Sequence, residues 1–149
     1  MFLDKTTFTT VIDSTPLVSI DLIVTNEKGE VLLGQRVNRP AKNFWFVPGG
    51  RILKNESLAS AFGRLTQEEL GTRYEITNAR LQGPFDHFYD DFVFGNEIST
   101  HYVAIAYRLA VSERELDLPL AQHDGYIWLS EDELSRSTKV HPNIKLYFL

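Results

Sequence analysis

Residues 49–71 constrain the fold of this chain more tightly than any other stretch. Two adjacent glycines, Gly49-Gly50, follow Pro48, and a helical pattern is predicted over Asn55–Leu70. Leu58, Ala61, Phe62 and Leu65 recur at helical spacing, and Gly71 stands where a left-handed C-terminal cap belongs. At 100° per residue Glu69 falls on the same face as Leu58, Phe62 and Leu65. A carboxylate on the buried face of a helix needs a partner, because an isolated buried charge is very costly. That partner is either an arginine or a divalent cation, for which carboxylate oxygen is a natural ligand. Paired glycines just upstream let backbone carbonyls approach a ligand closely.

The flanking sequence predicts a mixed sheet with helices interspersed, an α+β or α/β arrangement with few parallel crossovers. Asp4–Asp13 reads as a short helix, and Leu17–Thr25 and Glu30–Arg36 as strands paired through a turn at Glu27-Lys28-Gly29. A loop over Asn38–Asn43 leads to a short strand at Phe44–Val47. Arg73–Phe88 and Thr100–Val111 read as long strands joined by an acidic loop, and Tyr126–Leu129 as a last short one. Ser130-Glu131-Asp132-Glu133 opens a helix with acidic first-turn residues, and Asn143–Leu149 is a final helical segment. With 149 residues and no linker or repeat, one domain over residues 1–149 is expected.

Composition narrows the chemistry. The chain has no cysteine, which excludes disulfides, thiolate nucleophiles and cysteine-zinc sites. Its net charge of −5 argues against a general nucleic-acid or anionic-membrane surface. A polyanionic substrate would be repelled unless arginines or a metal ion drew it in. No apolar run approaches a membrane span and the N-terminus has no secretory pattern, so the cytoplasm is the expected compartment. Outside the helix, the loop carrying Gln122-His123-Asp124 stands out. His123 is suited to general-base work near neutral pH, or is simply a hydrogen-bonded loop histidine, and Gln122 offers a neutral oxygen to a hard cation. His101 and Tyr102 are neighbours on a strand, so only one can face a given pocket, and Tyr102 is preferred. His141, before Pro142, reads as structural.

Gly50, Glu56, Arg64, Glu68, Glu69 and Gly71 together reproduce the spacing of the Nudix box: glycine, five residues, glutamate, seven residues, arginine, then a glutamate-rich helix end and glycine. The chain resembles the Nudix hydrolases. One position departs: the residue after the arginine is ordinarily glutamate and here is Leu65. The loss argues for fewer metal ions and for part of the catalysis lying elsewhere. The resemblance sharpens through Ser14–Ser19, Asn38–Ala41, Trp45–Arg51, His87–Asp91, Thr100–Tyr102 and Gln122–Asp124, which look like the GDP-mannose mannosyl hydrolases, a Nudix branch of bacterial polysaccharide gene clusters. The match covers nearly the whole chain. Leu65 is itself a feature of that branch, whereas Glu68 departs from it.

The resemblance implies a Nudix fold, a homodimer and one Mg²⁺, replaceable by Mn²⁺. The ion would be held by the Gly49 carbonyl, Glu69 and Gln122. It implies that His123 takes the proton from the attacking water and that Arg36 and Arg51 contact the diphosphate. Asp21 and Tyr102 would orient the leaving group or the sugar, with His87 at the edge of the site. The implied reaction is hydrolysis of GDP-mannose, or GDP-glucose, to GDP and the free sugar by inversion at the anomeric carbon. Inverting glycoside chemistry needs a base for water and an acid for the leaving oxygen. A diphosphate neutralised by a metal and arginines leaves without a dedicated acid, so the base is the demanding role. Two alternatives stand beside it: an ordinary Nudix pyrophosphohydrolase cleaving at phosphorus, and a non-catalytic nucleotide-sugar-binding module.

Overall fold

The structure is a computed structural model that describes residues 2–119 and 123–149, with His123 and Asp124 described by backbone alone. Its strands are β1 (Leu17–Thr25), β2 (Val31–Arg36), β3 (Trp45–Phe46), β4 (Gly49–Arg51), β5 (Arg80–Tyr89), β6 (Thr100–Ala110) and β7 (His123–Leu129). They form one mixed sheet in the order β3-β2-β1-β6-β5, with β4 also on β1 and β7 also on β2. β1 and β6 run parallel from Leu17↔Tyr102 to Thr25↔Ala110, and the other pairings are antiparallel. Helices α1 (Lys5–Ser14), α2 (Leu58–Leu70), α3 (Glu131–Arg136) and α4 (Pro142–Lys145) complete the fold. No helix among the described residues is long and apolar enough to cross a membrane.

Alternation along β1 feeds two cores. Ile20, Leu22 and Val24 pack with Phe62, Leu65 and Leu70 of α2. On the other face Ile23 packs with Val31, Leu33, Leu134, Ile144 and Tyr147. The sheet is therefore covered by α2 on one side and by the C-terminal helices on the other, which is the α+β layering expected of the chain.

The gap that becomes the site arises between β1 and β2. Their turn is well built: Asn26 Oδ1 accepts from Lys28 N at 3.0 Å and Glu30 N at 2.9 Å, and Gly29 takes a positive φ. Beyond it the strands separate, their register pairing being Thr25↔Val31. β4 enters the space and pairs with β1 at Ser19↔Arg51, Ile20↔Gly50 and Asp21↔Gly49. Leu22 N–H bonds to Pro48 O and Ile52 N–H to Val18 O, each at 2.8 Å. The sequence pattern does not reveal this strand, because Gly-Gly-Arg has no strand propensity and tertiary pairing overrides it.

Other boundaries shift for local reasons. α2 begins at Leu58 and not at Asn55: Asn55 is left-handed at φ 71°, and Ser57 caps the helix by accepting from Ser60 N at 3.0 Å. The stretch read as strand from Arg73 starts with a 3-10 turn at Ile76–Asn78, and β5 begins at Arg80. β7 begins at His123, three residues before the expected start at Tyr126. The final segment is α4 followed by a 3-10 turn, Leu146–Phe148.

Candidate active site

Helix α2 carries two kinds of acidic side chain. Glu56, in the loop before it, grips Arg64 in two parallel bonds, Nε to Oε2 at 2.7 Å and Nη2 to Oε1 at 2.8 Å. Arg64 also donates to the Arg51 carbonyl at 3.0 Å and to Glu68 at 3.1 Å, while Glu56 accepts from Leu53 N at 2.8 Å. This lattice fastens β4 and its following loop to the helix. Glu68 is half-exposed and committed to Arg64, which accounts for an acidic residue there without a second ion.

Glu69 behaves differently. It is 4% exposed, and its Oε2 has no hydrogen-bond partner among the described residues. The Gly49 backbone N–H donates to the carboxylate, yet burial dominates and pushes its pKa up to about 7. Neither salt bridge nor arginine satisfies it among the described residues. Among the described residues the alternative of a buried ion pair is therefore not realised, and Glu69 lines a cavity with one oxygen unpaired. Leu65, in the position where a second glutamate would stand, is buried, with Cδ2 2.6 Å from where a Cβ on Gly50 would lie. It thus fills the space over the glycine loop.

Across the splayed strands, Ser19 and Asp21 project from β1 on the face opposite Ile20 and Leu22. Asp21 is largely buried, and desolvation raises its pKa to about 6 against the pull of Tyr147 and Arg36. Tyr147 donates to Asp21 Oδ2 at 2.5 Å, and His87 Nδ1 lies 4.0 Å from the same oxygen. His87 is 2% exposed, with no partner for Nε2 among the described residues, and burial drives its pKa down to about 4. It is a neutral imidazole near neutral pH. Gly49 must be glycine: a Cβ there would sit 2.4 Å from the Ile20 carbonyl oxygen and 2.7 Å from Asp21 Oδ1.

Ser19, Asp21, Gly49, Glu69 and His87 line one cavity of about 250 Å³, together with Arg36, Arg51 and Tyr102. Arg36 lies over the Phe46 ring and Arg51 over the Phe8 ring, 5.2 Å and 4.9 Å from the centroids. No carboxylate is ion-paired to either guanidinium among the described residues, so both charges are available to an anion. Tyr102 stands opposite His87 across β5 and β6 and shares its face. His101 is on the other face, stacked on Phe88 at 4.4 Å and 3.3 Å from Asp86. His141 is structural, accepting from Asn143 N at 3.0 Å and stacking on Phe46 at 5.0 Å.

Of the sequence-derived site residues, Asp21, Arg36, Gly49, Arg51, Glu69, His87 and Tyr102 meet at this cavity. The backbone of His123 pairs with Arg36 where β7 joins β2, which sets the start of β7 beside the site. Gln122 lies outside the described residues. Ser19 and Tyr89 also line the cavity and were not singled out from the sequence. For Ser19 the signal was present, two residues before Asp21 on a strand.

The NUDIX domain family matches residues 15–148 of the chain. The chain belongs to the Nudix hydrolase family. Among curated proteins it is 42% identical over 108 residues to the low-salt glycan biosynthesis protein Agl8 of Haloferax volcanii, covering 72% of this chain and 67% of that one. It is 26% identical over 76 residues to an RNA pyrophosphohydrolase of Orientia tsutsugamushi, spanning 51% of this chain and 47% of that protein. Its fold superimposes on the MutT protein from Methanosarcina mazei with a TM-score of 0.73 at 23% identity, covering 91% of this chain and 92% of that one.

Nudix enzymes generally use Mg²⁺ or Mn²⁺, and the residues here fit such an ion. Glu69 Oε2 is a buried carboxyl oxygen without a partner among the described residues, and the Gly49 cradle admits no Cβ. Among the described residues no three His, Asp or Glu side chains are spaced to bind a metal by themselves, so the set needs backbone oxygen and ligand oxygen as well.

Proposed function

We propose that this Nudix hydrolase cleaves GDP-mannose, with GDP-glucose as an alternative substrate, to GDP and the free sugar. Water attacks the anomeric carbon, the bond from that carbon to the diphosphate oxygen breaks, and its electron pair leaves with GDP. One observation carries the reading: α2 contributes Glu69 alone to the cavity lining, with Leu65 packed against Gly50 and Glu68 held by Arg64. A site with one helix carboxylate is equipped to hold a metal but must draw its base from elsewhere. Similarity to a glycan biosynthesis protein supports a nucleotide-sugar substrate.

In this reading Glu69, the Gly49 carbonyl and Gln122 would hold a Mg²⁺ or Mn²⁺ ion, which would supply charge neutralisation at the diphosphate. Arg36 and Arg51 bind the same diphosphate and lower the basicity of the leaving oxygen. His123, whose backbone faces that of Arg36, accepts the proton of the attacking water. Asp21 and Tyr102 orient the sugar and leaving group, and neutral His87 closes that side of the cavity. The acting species is a homodimer in the cytoplasm, and its partner is the small-molecule nucleotide sugar.

The RNA pyrophosphohydrolase similarity favours a second reading, attack at phosphorus. Incubation with GDP-mannose and Mg²⁺ in ¹⁸O-water separates the two. Labelled β-mannose with unlabelled GDP is the expected result. GMP with mannose 1-phosphate, and label on phosphorus, would make the chain a pyrophosphohydrolase. Binding without turnover would make it a nucleotide-sugar-binding module.

A further inference from the structure

The C-terminal turn reaches the site from behind. Tyr147 sits on the 3-10 turn Leu146–Phe148, is 2% exposed, and is absent from the cavity lining. Its ring is fixed by an edge-to-face contact with Phe85 at 4.8 Å and a tilted contact with His87 at 5.4 Å. Its carbonyl accepts from Gln82 Nε2 at 2.6 Å, and Gln82 Oε1 accepts from Arg108 Nε at 2.8 Å. Arg108 in turn lies over the Phe148 ring at 5.3 Å. The turn is thus clamped to β5 and β6 by Gln82, Phe85 and Arg108, none of which lines the cavity. From that anchored position the phenol donates to Asp21 Oδ2 at 2.5 Å. The other oxygen, Oδ1, lies beside Gly49. Burial and the adjacent carboxylate push the Tyr147 phenol far above its ordinary pKa, so it remains an O–H donor.

We propose that Tyr147 is the positioning residue for Asp21: the clamped C-terminal turn fixes one carboxylate oxygen through the phenol and so sets how the other faces Gly49 and the cavity. This rests on the reading of Asp21 as part of the active site. A packing role alone would require the ring and not the hydroxyl.

Tyr147→Phe keeps the ring and removes the donor. The expected result is a kcat lowered roughly tenfold or more, the scale of losing a hydrogen bond to a charged group. KM should stay within roughly threefold. In an Asp21→Asn background the same substitution should change kcat less than about twofold, because the charged acceptor is already gone. Equal fractional losses in both backgrounds, or a loss confined to KM, would overturn the proposal. A readout without catalysis accompanies it: with ζ-¹³C-tyrosine, the Tyr147 resonance should shift on Asp21→Asn in the full-length protein. An unmoved resonance also overturns the proposal, even if the Phe variant does not fold or the wild type turns over nothing. Formation of GMP by the wild type would sink substitution at carbon but not this coupling, which would then be read on that reaction.

Discussion

Two polar clusters that meet at α2 divide the work of the Nudix sequence. Around Arg64, every charge is matched: Glu56 is bidentate, Glu68 is engaged, and a further guanidinium hydrogen finds the Arg51 carbonyl. About one turn on, Glu69 is buried with an oxygen unpaired among the described residues, sharing a cavity with His87 and Asp21, which are also pushed away from their ordinary ionisation by burial. The first cluster lowers the energy of the folded loop. The second raises it, and such under-satisfied groups persist where a ligand completes them. The pattern of carboxylates looks uniform along the chain, but its members are split between scaffold and site.

The largest effect should appear in catalysis, on the site's side of the comparison. His123→Gln should lower kcat by roughly 10²–10⁴, the range for loss of a general base, with thermal stability little changed. A normal kcat would remove His123 from the mechanism. Next, Arg64→Ala should destabilise the fold by about 2 kcal/mol in urea denaturation, since it leaves Glu56 unpaired in a partly buried place. If the melting behaviour stayed at wild type while activity vanished, Arg64 would belong with the site and the comparison would break.

Glu69→Gln should act in the opposite sense in metal-free protein. A carboxyl whose folded pKa is about 7, above its unfolded value, binds extra protons when folded, so stability is lost as pH rises through that range. The variant should therefore be more stable than wild type at pH 8, on the order of 2 kcal/mol, with the difference shrinking towards pH 5. It should also lose the Mg²⁺-dependent rise in melting temperature. A variant less stable than wild type at pH 8 without metal would show Glu69 to be a fold residue after all. Comparing the two proteins at each pH cancels His87, whose lowered pKa makes stability rise between about 4 and the ordinary histidine range. The smallest effect is expected at Glu68→Gln. Half-exposed and paired at one turn's spacing, it should change stability by less than about 0.5 kcal/mol and leave the metal midpoint unmoved. A shifted midpoint would bring Glu68 into the ligand set.

Much of this was legible along the chain because it is local. Helical spacing placed Glu69 on the buried face of α2, strand alternation put Tyr102 and not His101 on one side of β6, and Gly49-Gly50 announced a close approach. The departures were equally physical. Residues 55–57 left the helix because Asn55 turned left-handed and Ser57 became the cap, and β4 formed on glycines that no propensity would choose.

By itself the sequence determined the helix, its carboxylates and the alternating strand faces, since these follow from periodicity within a few residues. Only the tertiary structure decided which carboxylate would find an arginine and which would be left with a free oxygen. It alone brought Tyr147 across 126 positions to Asp21. Partners that distant are chosen by how strands splay and turns are clamped, and no local pattern encodes that choice.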